Sequence, residues 1–472
     1  MSILEINLKK ESDLKDNFSQ FLTPIQELKE LYGEINTPFA FIFQMLSIIP
    51  TKYFKEPDYK WLDAGAGHGN FSICLFFLLY KHLKQRIPNN DERKTHIIEN
   101  MIYMVEINDV NTTYLKKIFG EKANIVEENY LDWFPTLNNK SLFFDFIIGN
   151  PPYNFNGLKK VPTKSNVNKK EDGKTIWSMF ILKNFSLLKE NGKMNVLIPS
   201  IWMKPDKSKM YYEFLKYQIE KTHNLNASEM NKLFSLQVQT PACYFLLTKR
   251  ENKGKIELFD KMKNKYISFI LSSNIPLPLC FTSIVQKCLK VKNKYGGLCV
   301  IKTNLPPKNC KLSHIKNEIY TFPNISTTLL DKDKNPTLKI NYSKEALVFS
   351  GESKLVMGHK MYGFPYLDKE GVYGISARDN YVIKNRSIEE LELIGEFLST
   401  EFILFLFECT RYRMRYLEKY VFEYLPDFSL IPEIDKMEKH KRKDYIYELF
   451  EIDDEERKYI ENYFRVKYKF FI

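Results

Sequence analysis

The residues with the clearest chemistry are Asn150-Pro151-Pro152-Tyr153, which follow a run of apolar residues. The Asn150 side-chain oxygen and the Pro151 carbonyl can each accept an N–H hydrogen bond, and the prolines stiffen the turn and remove competing donors. Two fixed acceptors can draw an aromatic amine, whose lone pair is delocalised into its ring, toward a tetrahedral geometry that favours attack. Tyr153 can stack on that ring. The segment predicts a site that activates a planar amine, although an Asn-Pro turn after a strand also occurs without a function.

A glycine-rich segment, residues 63–71 (DAGAGHGNF), predicts a tight turn that leads into a helix. Glycines let the backbone pass close to a ligand, and the helix N-terminus then points at it. A nicotinamide-binding turn would have its third glycine at Asn70 and an acid about 20 positions later, whereas here an acid precedes the turn. That acid could accept the ammonium group of a methionine moiety, directly or through water. We therefore expect S-adenosylmethionine (SAM) as cofactor, bound by Asp63, Ala64, Gly65 and Gly67. A tight loop without function is the alternative for such a turn alone.

Two further acids stand at the ends of predicted strands. Glu106 ends the second strand and could accept both ribose hydroxyls of the cofactor, and Asp132, after the third strand, could accept from the adenine amino group. The long interval between Asp63 and Glu106 contains a polar stretch, residues 86–94, which we interpret as a surface insertion. Because a sulfonium methyl group is already activated, positioning and polarisation of the amine suffice, and no metal or nucleophilic residue is required.

The elements that position these residues alternate between helices and strands. Thr37 predicts a hydroxyl cap, and Pro38 the first position of a helix that runs to Ile49. The other predicted elements are helices over 13–34 and 70–86 and strands over 59–62, 96–105, 123–126 and 143–148. The last strand is a continuous apolar run, as is typical of parallel strands buried on both faces. The alternation predicts an α/β fold with a doubly wound sheet that binds ligands at the carboxyl ends of its strands.

The positive charge of the chain is concentrated in its second part. Residues 1–150 contain 16 Lys+Arg and 20 Asp+Glu, a balance of −4, and the remaining residues contain 54 and 38, a balance of +16. Residues 431–472 are nearly neutral, with 10 and 11. A polyanion would therefore contact residues 151–430, although a soluble basic surface gives the same count. We expect a catalytic domain over 1–255, a second domain over 256–430 and a helical tail over 431–472.

The composition excludes several classes of protein. With 44% apolar and 27% charged residues, the chain is typical of globular proteins rather than of disordered or fibrous ones. Its longest apolar run, Ile73 to Tyr80, is too short to span a membrane, and residues 1–20 lack a secretory pattern. The seven cysteines form no CxxC pair and no zinc spacing, which favours reduced structural thiols. We expect an intracellular protein, cytoplasmic and nucleoid-associated, without a metal.

The order of these motifs resembles that of the gamma-class amino-methyltransferases of restriction–modification systems. Gly33 and Thr37-Pro38 precede the glycine turn, and Asn-Pro-Pro-Tyr follows the two acids. The resemblance implies a Rossmann-like SAM-dependent catalytic domain with Thr37, Pro38 and Asn150 among its cofactor contacts, followed by a C-terminal α+β target-recognition domain. It implies transfer of a methyl group to the N6 amine of adenine in double-stranded DNA, with S-adenosylhomocysteine as product. A cognate restriction endonuclease of the same system is a candidate partner.

The resemblance extends to residues 192–200, which look like the family's central strand, and to residues 233–240. In the second stretch Phe234 inherits the role of packing against an extruded base on the face opposite Tyr153, with a core phenylalanine as the alternative. A base inside a duplex cannot reach such a site, so the resemblance implies base flipping.

Two basic segments are candidate DNA contacts. Lys159 and Lys160 lie in a basic loop over 158–175, which a solvated loop without function would also explain. Arg411, Arg413 and Arg415 lie on a predicted helix over 402–416, where they alternate with tyrosines. That pattern suits phosphate or guanine contacts, and an ordinary surface helix is the alternative.

Three other functions compete with DNA methylation. The Asn-Pro-Pro-Tyr turn also occurs in methyltransferases that act on the amino groups of RNA adenine or guanine, and in those that act on glutamine side chains of release factors. A glutamine modifier would be smaller and would lack the basic second half. A non-catalytic DNA-binding protein would not need both Asp63 and Asn150, and a failure to bind SAM would favour it.

Overall fold

The computed structural model describes residues 3, 36–155, 174–206, 209–235, 238, 240–272, 274–330, 336–359, 364–413 and 417–467. The chain divides into two compact units, the first comprising Met1–Trp202 and Asp206–Leu258 and the second Met203–Pro205 and Phe259–Ile472. None of the described helices is long and apolar enough to cross a membrane. The predicted helix over 13–34 lies outside the described residues.

The first unit alternates helices and strands after its first helix. Its helices are α1 (Phe39–Leu46), α2 (Asn70–His82), α3 (Asn90–His96), α4 (Asp109–Phe119), α5 (Trp177–Leu187), α6 (Met210–Leu215) and α7 (Ala227–Leu233). Its main strands are β1 (Trp61–Ala64), β2 (Ile102–Glu106), β3 (Asn124–Glu127), β4 (Phe144–Gly149), β5 (Leu188–Pro199), β6 (Tyr217–Leu225), β7 (Ala242–Glu251) and β8 (Lys255–Asp260). Short 3-10 helices cover Thr51–Lys55, Leu83–Gln85 and Ser200–Met203.

These strands lie in one sheet in the order β3-β2-β1-β4-β5-β7-β6-β8. The strands from β3 to β5 are parallel, whereas β7 runs antiparallel to both of its neighbours. The predicted doubly wound sheet is therefore confirmed, with β7 as an antiparallel strand inside it. Because the chain leaves β1 on one side for β2 and returns on the other as β4, the carboxyl ends of β1 and β4 flank the crevice where such sheets bind ligands.

The centre of the sheet is held by aromatic packing. Trp61 of β1 is fully buried and stacks on Phe146 of β4, with ring centroids 3.8 Å apart. Phe54 stacks on the other side of Trp61 at 5.3 Å. Offset aromatic pairs add to the free energy gained by burying their area. The packing fixes β1 and β4 side by side, which positions the residues at their ends.

The predicted strand over 96–105 is wrong in its first half. Asn89 caps α3 by accepting from the amides of Asp91 and Glu92, and a π-helix over Ile97–Met101 follows before β2 begins. A short apolar run fits a buried helix turn as well as a strand, so periodicity could not separate them. The polar stretch 86–94 is mostly exposed, as the surface interpretation expects, with Arg93 as an exception. Arg93 is buried, donates to the carbonyl oxygens of Ile87 and Pro88, and stacks over Tyr80 at 4.2 Å.

The first helix also differs from its prediction at both ends. The N-cap of α1 is Pro38 and no side chain caps the helix, so Thr37 is not the predicted hydroxyl cap. The helix ends at Leu46 rather than at Ile49. The Thr37 hydroxyl instead accepts a hydrogen bond from the Asn150 side chain.

The second unit contains two four-stranded sheets and several helices. Its strands are β9 (Lys265–Ile270), β10 (Ile301–Lys302), β11 (Leu312–Ser313), β12 (Phe322–Leu330), β13 (Pro336–Ser343), β14 (Lys354–Met357), β15 (Pro365–Asp368), β16 (Gly374–Ile375) and β17 (Tyr381–Lys384). The sheet orders are β10-β17-β14-β15 and β11-β13-β12-β16. Ile325, Val356, Ile375 and Val382, which come from both sheets, are fully buried in one core cluster.

The helices of the second unit are α8 (Thr282–Tyr295), α9 (Ile388–Leu398), α10 (Glu401–Leu406), α11 (Lys439–Leu449) and α12 (Asp454–Lys467). Short 3-10 helices cover Phe407–Thr410, Lys419–Tyr424 and Phe428–Leu430. The predicted continuous helix over 402–416 is therefore wrong, because α10 ends at Leu406 and residues 411–413 are not helical. The two C-terminal helices pack on this unit, with Phe402 stacked on Phe450 at 4.9 Å.

Candidate active site

The glycine turn and the Asn-Pro-Pro-Tyr turn lie side by side at the carboxyl ends of β1 and β4. Asp63 of β1 is in register with Ile148 of β4. Gly149 has a φ of 140°, which favours glycine, and a Cβ atom on it would lie in tight contact with the Asp63 Oδ1, at 3.2 Å. A Cβ atom on Gly65 would lie 3.7 Å from the Cδ of Pro152. Both predicted segments therefore border the same crevice.

The glycine turn is held by hydrogen bonds to the end of β2. The Val105 carbonyl accepts from the amides of Gly65 and Ala66 at 2.9 and 3.0 Å. The two carboxylate oxygens of Glu106 accept from the amides of Gly67 and Asn108 at 2.8 and 2.9 Å. Glu106 therefore shapes the turn, and its role toward the ribose stays a prediction.

Asp63 is buried at the base of the crevice and accepts from the Ser72 hydroxyl at 2.8 Å. Burial raises the pKa of Asp63 to about 7, and the charge of Glu106 adds to the increase, while hydrogen bonds from Ser72 oppose it. The group is therefore divided between its neutral and charged forms near neutral pH. A cationic ligand beside it would favour the carboxylate.

Asn150 is oriented by the segment that precedes α1. Its Nδ2 donates to the Thr37 hydroxyl oxygen at 3.2 Å, and the Thr37 carbonyl accepts from the Asn70 Nδ2 at 2.9 Å. The Asn150 Oδ1 is buried and has no hydrogen-bond partner among the described residues. Other buried side-chain atoms of the described residues also lack a partner, among them the Asn195 Oδ1 and the Asn324 Oδ1, but the Asn150 Oδ1 belongs to the turn beside the glycines, where a ligand could donate to it. Here the unpaired atom is the predicted amine acceptor.

Tyr153 continues the turn. Pro151 is buried, and the Tyr153 carbonyl accepts from the Ile176 amide at 3.1 Å. The Tyr153 hydroxyl is buried without a described partner, and burial raises its pKa well above the usual range, so the phenol is neutral. Next, Asn154–Phe155 pairs with Lys174–Thr175 in a short antiparallel ribbon. Lys159 and Lys160, in the predicted basic loop, lie outside the described residues.

Two other predicted site residues have different surroundings. Phe234 follows α7, is buried and meets the ring of Phe41 edge-on, with centroids 6.5 Å apart. This contact is what a core phenylalanine would make, and the base-stacking role stays a prediction. Asp132 is exposed and accepts from the Asn129 Nδ2 at 2.5 Å. Its role toward the cofactor adenine is likewise untested by these contacts.

Sequence reasoning missed Asn70 and Ser72 as parts of the site. Both are polar residues in the first turn of α2, whose next residues are almost all apolar and buried. Two polar residues at the start of an otherwise apolar, buried helix need hydrogen-bond partners, and this pattern could have identified Asn70 and Ser72 from the sequence. In the described part of the chain, no cluster of three or more His, Cys, Asp or Glu side chains could hold a metal ion.

The predicted arginines of the second unit are engaged in ion pairs. The Arg411 guanidinium donates to both carboxylate oxygens of Glu408, at 3.0 and 3.2 Å. Arg413 lies 3.6 Å from Glu418, and Arg415 lies outside the described residues. Between the two arginines, Tyr412 is buried and its hydroxyl donates to a backbone carbonyl. Their role as DNA contacts stays a prediction.

Comparisons with known proteins agree with this architecture. Residues 40–234 match the Eco57I restriction-modification methylase family. The type IIL restriction-modification enzyme MmeI, solved in complex with DNA, is 10% identical with a TM-score of 0.50, and the match covers 89% of this chain and 71% of that one. A type I restriction-modification methyltransferase subunit from Streptococcus thermophilus is 18% identical with a TM-score of 0.36, over 54% of each chain.

A modification subunit assigned to a type I restriction enzyme of Vibrio vulnificus YJ016 is 16% identical with a TM-score of 0.39, over 55% of each chain. The chain therefore spans about half the length of these type I subunits. No curated protein matches the sequence. The family match confirms the resemblance to restriction-modification methylases over residues 40–234, and the sheet order and the structural similarities confirm the Rossmann-like methyltransferase fold.

Proposed function

We propose that this chain, whose residues 40–234 match the Eco57I restriction-modification methylase family, transfers the methyl group of SAM to the N6 amine of an adenine in double-stranded DNA. The observation that carries the proposal is the buried, unpaired Oδ1 of Asn150 beside the glycine turn. An acceptor in that position suits a substrate N–H donor. The family match also favours a restriction-modification setting, with a cognate endonuclease as partner.

The residues at the strand ends suit a bound SAM molecule. Gly65 and Gly67 have positive φ angles and leave backbone space beside the turn, and α2 begins directly after it. Asp63 supplies a carboxyl group for the methionine ammonium, and Glu106 supplies one for the ribose hydroxyls. When bound, SAM contributes an electrophilic methyl carbon, so the chain needs no nucleophile of its own.

The Asn-Pro-Pro-Tyr turn acts on the amine. The Asn150 Oδ1 and the Pro151 carbonyl each accept one N–H, which frees the nitrogen lone pair from the ring and directs it at the methyl carbon. The N–C bond forms as the S–C bond breaks, the sulfur keeps the bonding electron pair, and the extra proton leaves the nitrogen for solvent. Burial of the acceptors strengthens these hydrogen bonds because the local dielectric is low.

The same residues imply that the base leaves the double helix. The acceptors are buried within the crevice, so a stacked base would not reach them, and flipping costs a few kcal/mol that protein contacts must offset. Tyr153 would stack on one face of the extruded base and Phe234 on the other. The edge-on contact between Phe41 and Phe234 would then hold the Phe234 ring in place against the base.

The test is a methyl-transfer assay with labelled SAM and purified protein. Duplex DNA of mixed sequence, the same strands unpaired, and structured RNA are offered separately, and the labelled nucleosides are identified after digestion. We expect N6-methyldeoxyadenosine from duplex DNA. If only RNA is labelled, the substrate is RNA rather than DNA. If the protein binds SAM but transfers the methyl group to no nucleic acid, the proposal is wrong. Methylation-sensitive sequencing of DNA from expressing cells would then give the recognised sequence.

A further inference from the structure

The second unit carries an exposed segment that the sequence did not single out. This strap, residues 304–322, joins β10 to β12 through β11, and none of its residues is buried. It presents large apolar side chains to solvent, among them Ile315, Leu305 and Ile319 at 75%, 64% and 59% exposure. Clusters of exposed apolar side chains on a protein surface indicate a contact site.

The strap has a defined conformation. Leu312 of β11 and Phe322 of β12 are both in register with Ser343, on opposite sides of β13, so residues 313–321 leave and return at the same end of that strand. Within this loop, the Asn317 Oδ1 accepts from the amides of Ile319 and Tyr320 at 2.9 and 2.8 Å. These bonds hold the apolar side chains on an ordered turn at the edge of the sheet.

The charges of the strap are positive and unpaired. It contains Lys308, Lys311 and Lys316 against the single acid Glu318. None of these three ammonium groups forms an ion pair with a described carboxylate, whereas Arg411 pairs with Glu408. Lysines without acidic partners remain available for phosphate groups, and each such contact releases counterions from DNA.

We propose that the strap is a contact surface for duplex DNA, in which the three lysines bind backbone phosphates and Ile315 and Ile319 pack against sugars and base edges in a groove. Cations beside exposed apolar side chains are what minor-groove contacts use. This inference rests on the proposed function, because it takes duplex DNA as the partner of the chain. The excess of three lysines over one acid favours a polyanionic partner.

The test compares the triple variant Lys308→Gln/Lys311→Gln/Lys316→Gln with a control that removes the same charge from α11, Lys439→Gln/Lys441→Gln/Lys443→Gln. Binding to a fluorescent duplex is measured by anisotropy over a range of salt concentrations. The strap variant should weaken binding by about tenfold or more and lower the slope of log affinity against log salt by about 2.7, that is about 0.9 for each lost phosphate contact. The α11 variant should leave both the affinity for the duplex and the salt slope nearly unchanged.

A second variant tests the apolar part of the surface. Ile315→Ser/Ile319→Ser should weaken binding severalfold without changing the salt slope, and these exposed positions should leave the melting temperature unchanged. Normal duplex binding by the strap variants, in a protein whose unmodified form methylates DNA, would overturn the inference, and a protein partner would then explain the surface. An unmodified protein that neither binds nor methylates duplex DNA would instead contradict the proposed function.

Discussion

The polar groups at the strand ends of the first unit differ from two largely buried carboxylates of the second unit. At the strand ends of the first unit, the Asn150 Oδ1 and the Tyr153 hydroxyl are buried without described partners, and Asp63 has a pKa of about 7. In the second unit, the buried Glu408 is paired with Arg411, and the largely buried Glu418 lies 3.3 Å from Lys204.

The comparison contrasts polar groups that border a crevice with carboxylates that are paired within the fold. An unpaired buried acceptor or a carboxyl with a raised pKa lowers the stability of the empty protein, and a ligand that donates hydrogen bonds or brings a positive charge removes that cost. A carboxylate already paired with a guanidinium stabilises the folded chain and offers less to a partner. Substitutions in the two regions should therefore affect different measurements.

The largest expected effect is on catalysis, from Asn150→Ala. Loss of the amine acceptor should lower kcat about 100- to 1,000-fold, by analogy with the loss of one preorganised hydrogen-bonding group in other active sites. The dissociation constant of SAM, measured by calorimetry, should stay nearly unchanged. The melting temperature should stay the same or rise, because a buried unpaired oxygen is removed. An equal loss of SAM binding and transfer would show that Asn150 is structural.

Arg411→Ala should act on stability instead. It leaves the Glu408 carboxylate, whose side chain is 5% exposed, without its guanidinium partner, and should lower the free energy of unfolding by about 1–3 kcal/mol. Arg413→Ala is the matched control, because that side chain is 54% exposed and its pair with Glu418 should contribute less than about 1 kcal/mol. Urea unfolding measures both. Unchanged stability with weakened DNA binding would instead favour the predicted phosphate contacts.

Asp63 should couple SAM binding to pH. The free protein holds a proton on this group up to a pKa of about 7, and the bound ammonium requires the carboxylate. SAM affinity should therefore rise about fivefold between about pH 6 and about pH 7, with proton release visible as a dependence of the binding enthalpy on the buffer. Asp63→Asn should abolish the release. The same raised pKa means that stability falls as pH rises from the unfolded pKa toward 7, because the folded state binds the extra proton.

The smallest effect is expected from Thr37→Val, which removes the hydroxyl that orients the Asn150 amide. At saturating SAM, kcat should fall about threefold, the ordinary contribution of one hydrogen bond, and Thr37→Ser should restore it. A cofactor contact, the role inferred from the family resemblance, would instead raise the KM for SAM and leave kcat unchanged at saturation. Steady-state kinetics with both variants separates the two roles.

Much of the first unit could be predicted from local sequence. The predicted strand over 143–148 lies within one residue of β4, because both faces of a central parallel strand are apolar. The glycine spacing alone predicts the turn, and the structure places all three glycines at positive φ. The segment over 96–101 was misassigned because a buried helix turn and a buried strand have the same short apolar composition.

Local sequence specifies which chemical groups stand at the strand ends, since residue types and the order of strands and turns are local properties. Which of those groups are paired depends on how the chain packs. Thr37 and Asn150 are 113 positions apart and meet because the chain folds back, and the Tyr412 hydroxyl donates to the Leu277 carbonyl 135 positions away. Pairing depends on distance and burial, and both are set by packing between residues that are remote in the chain.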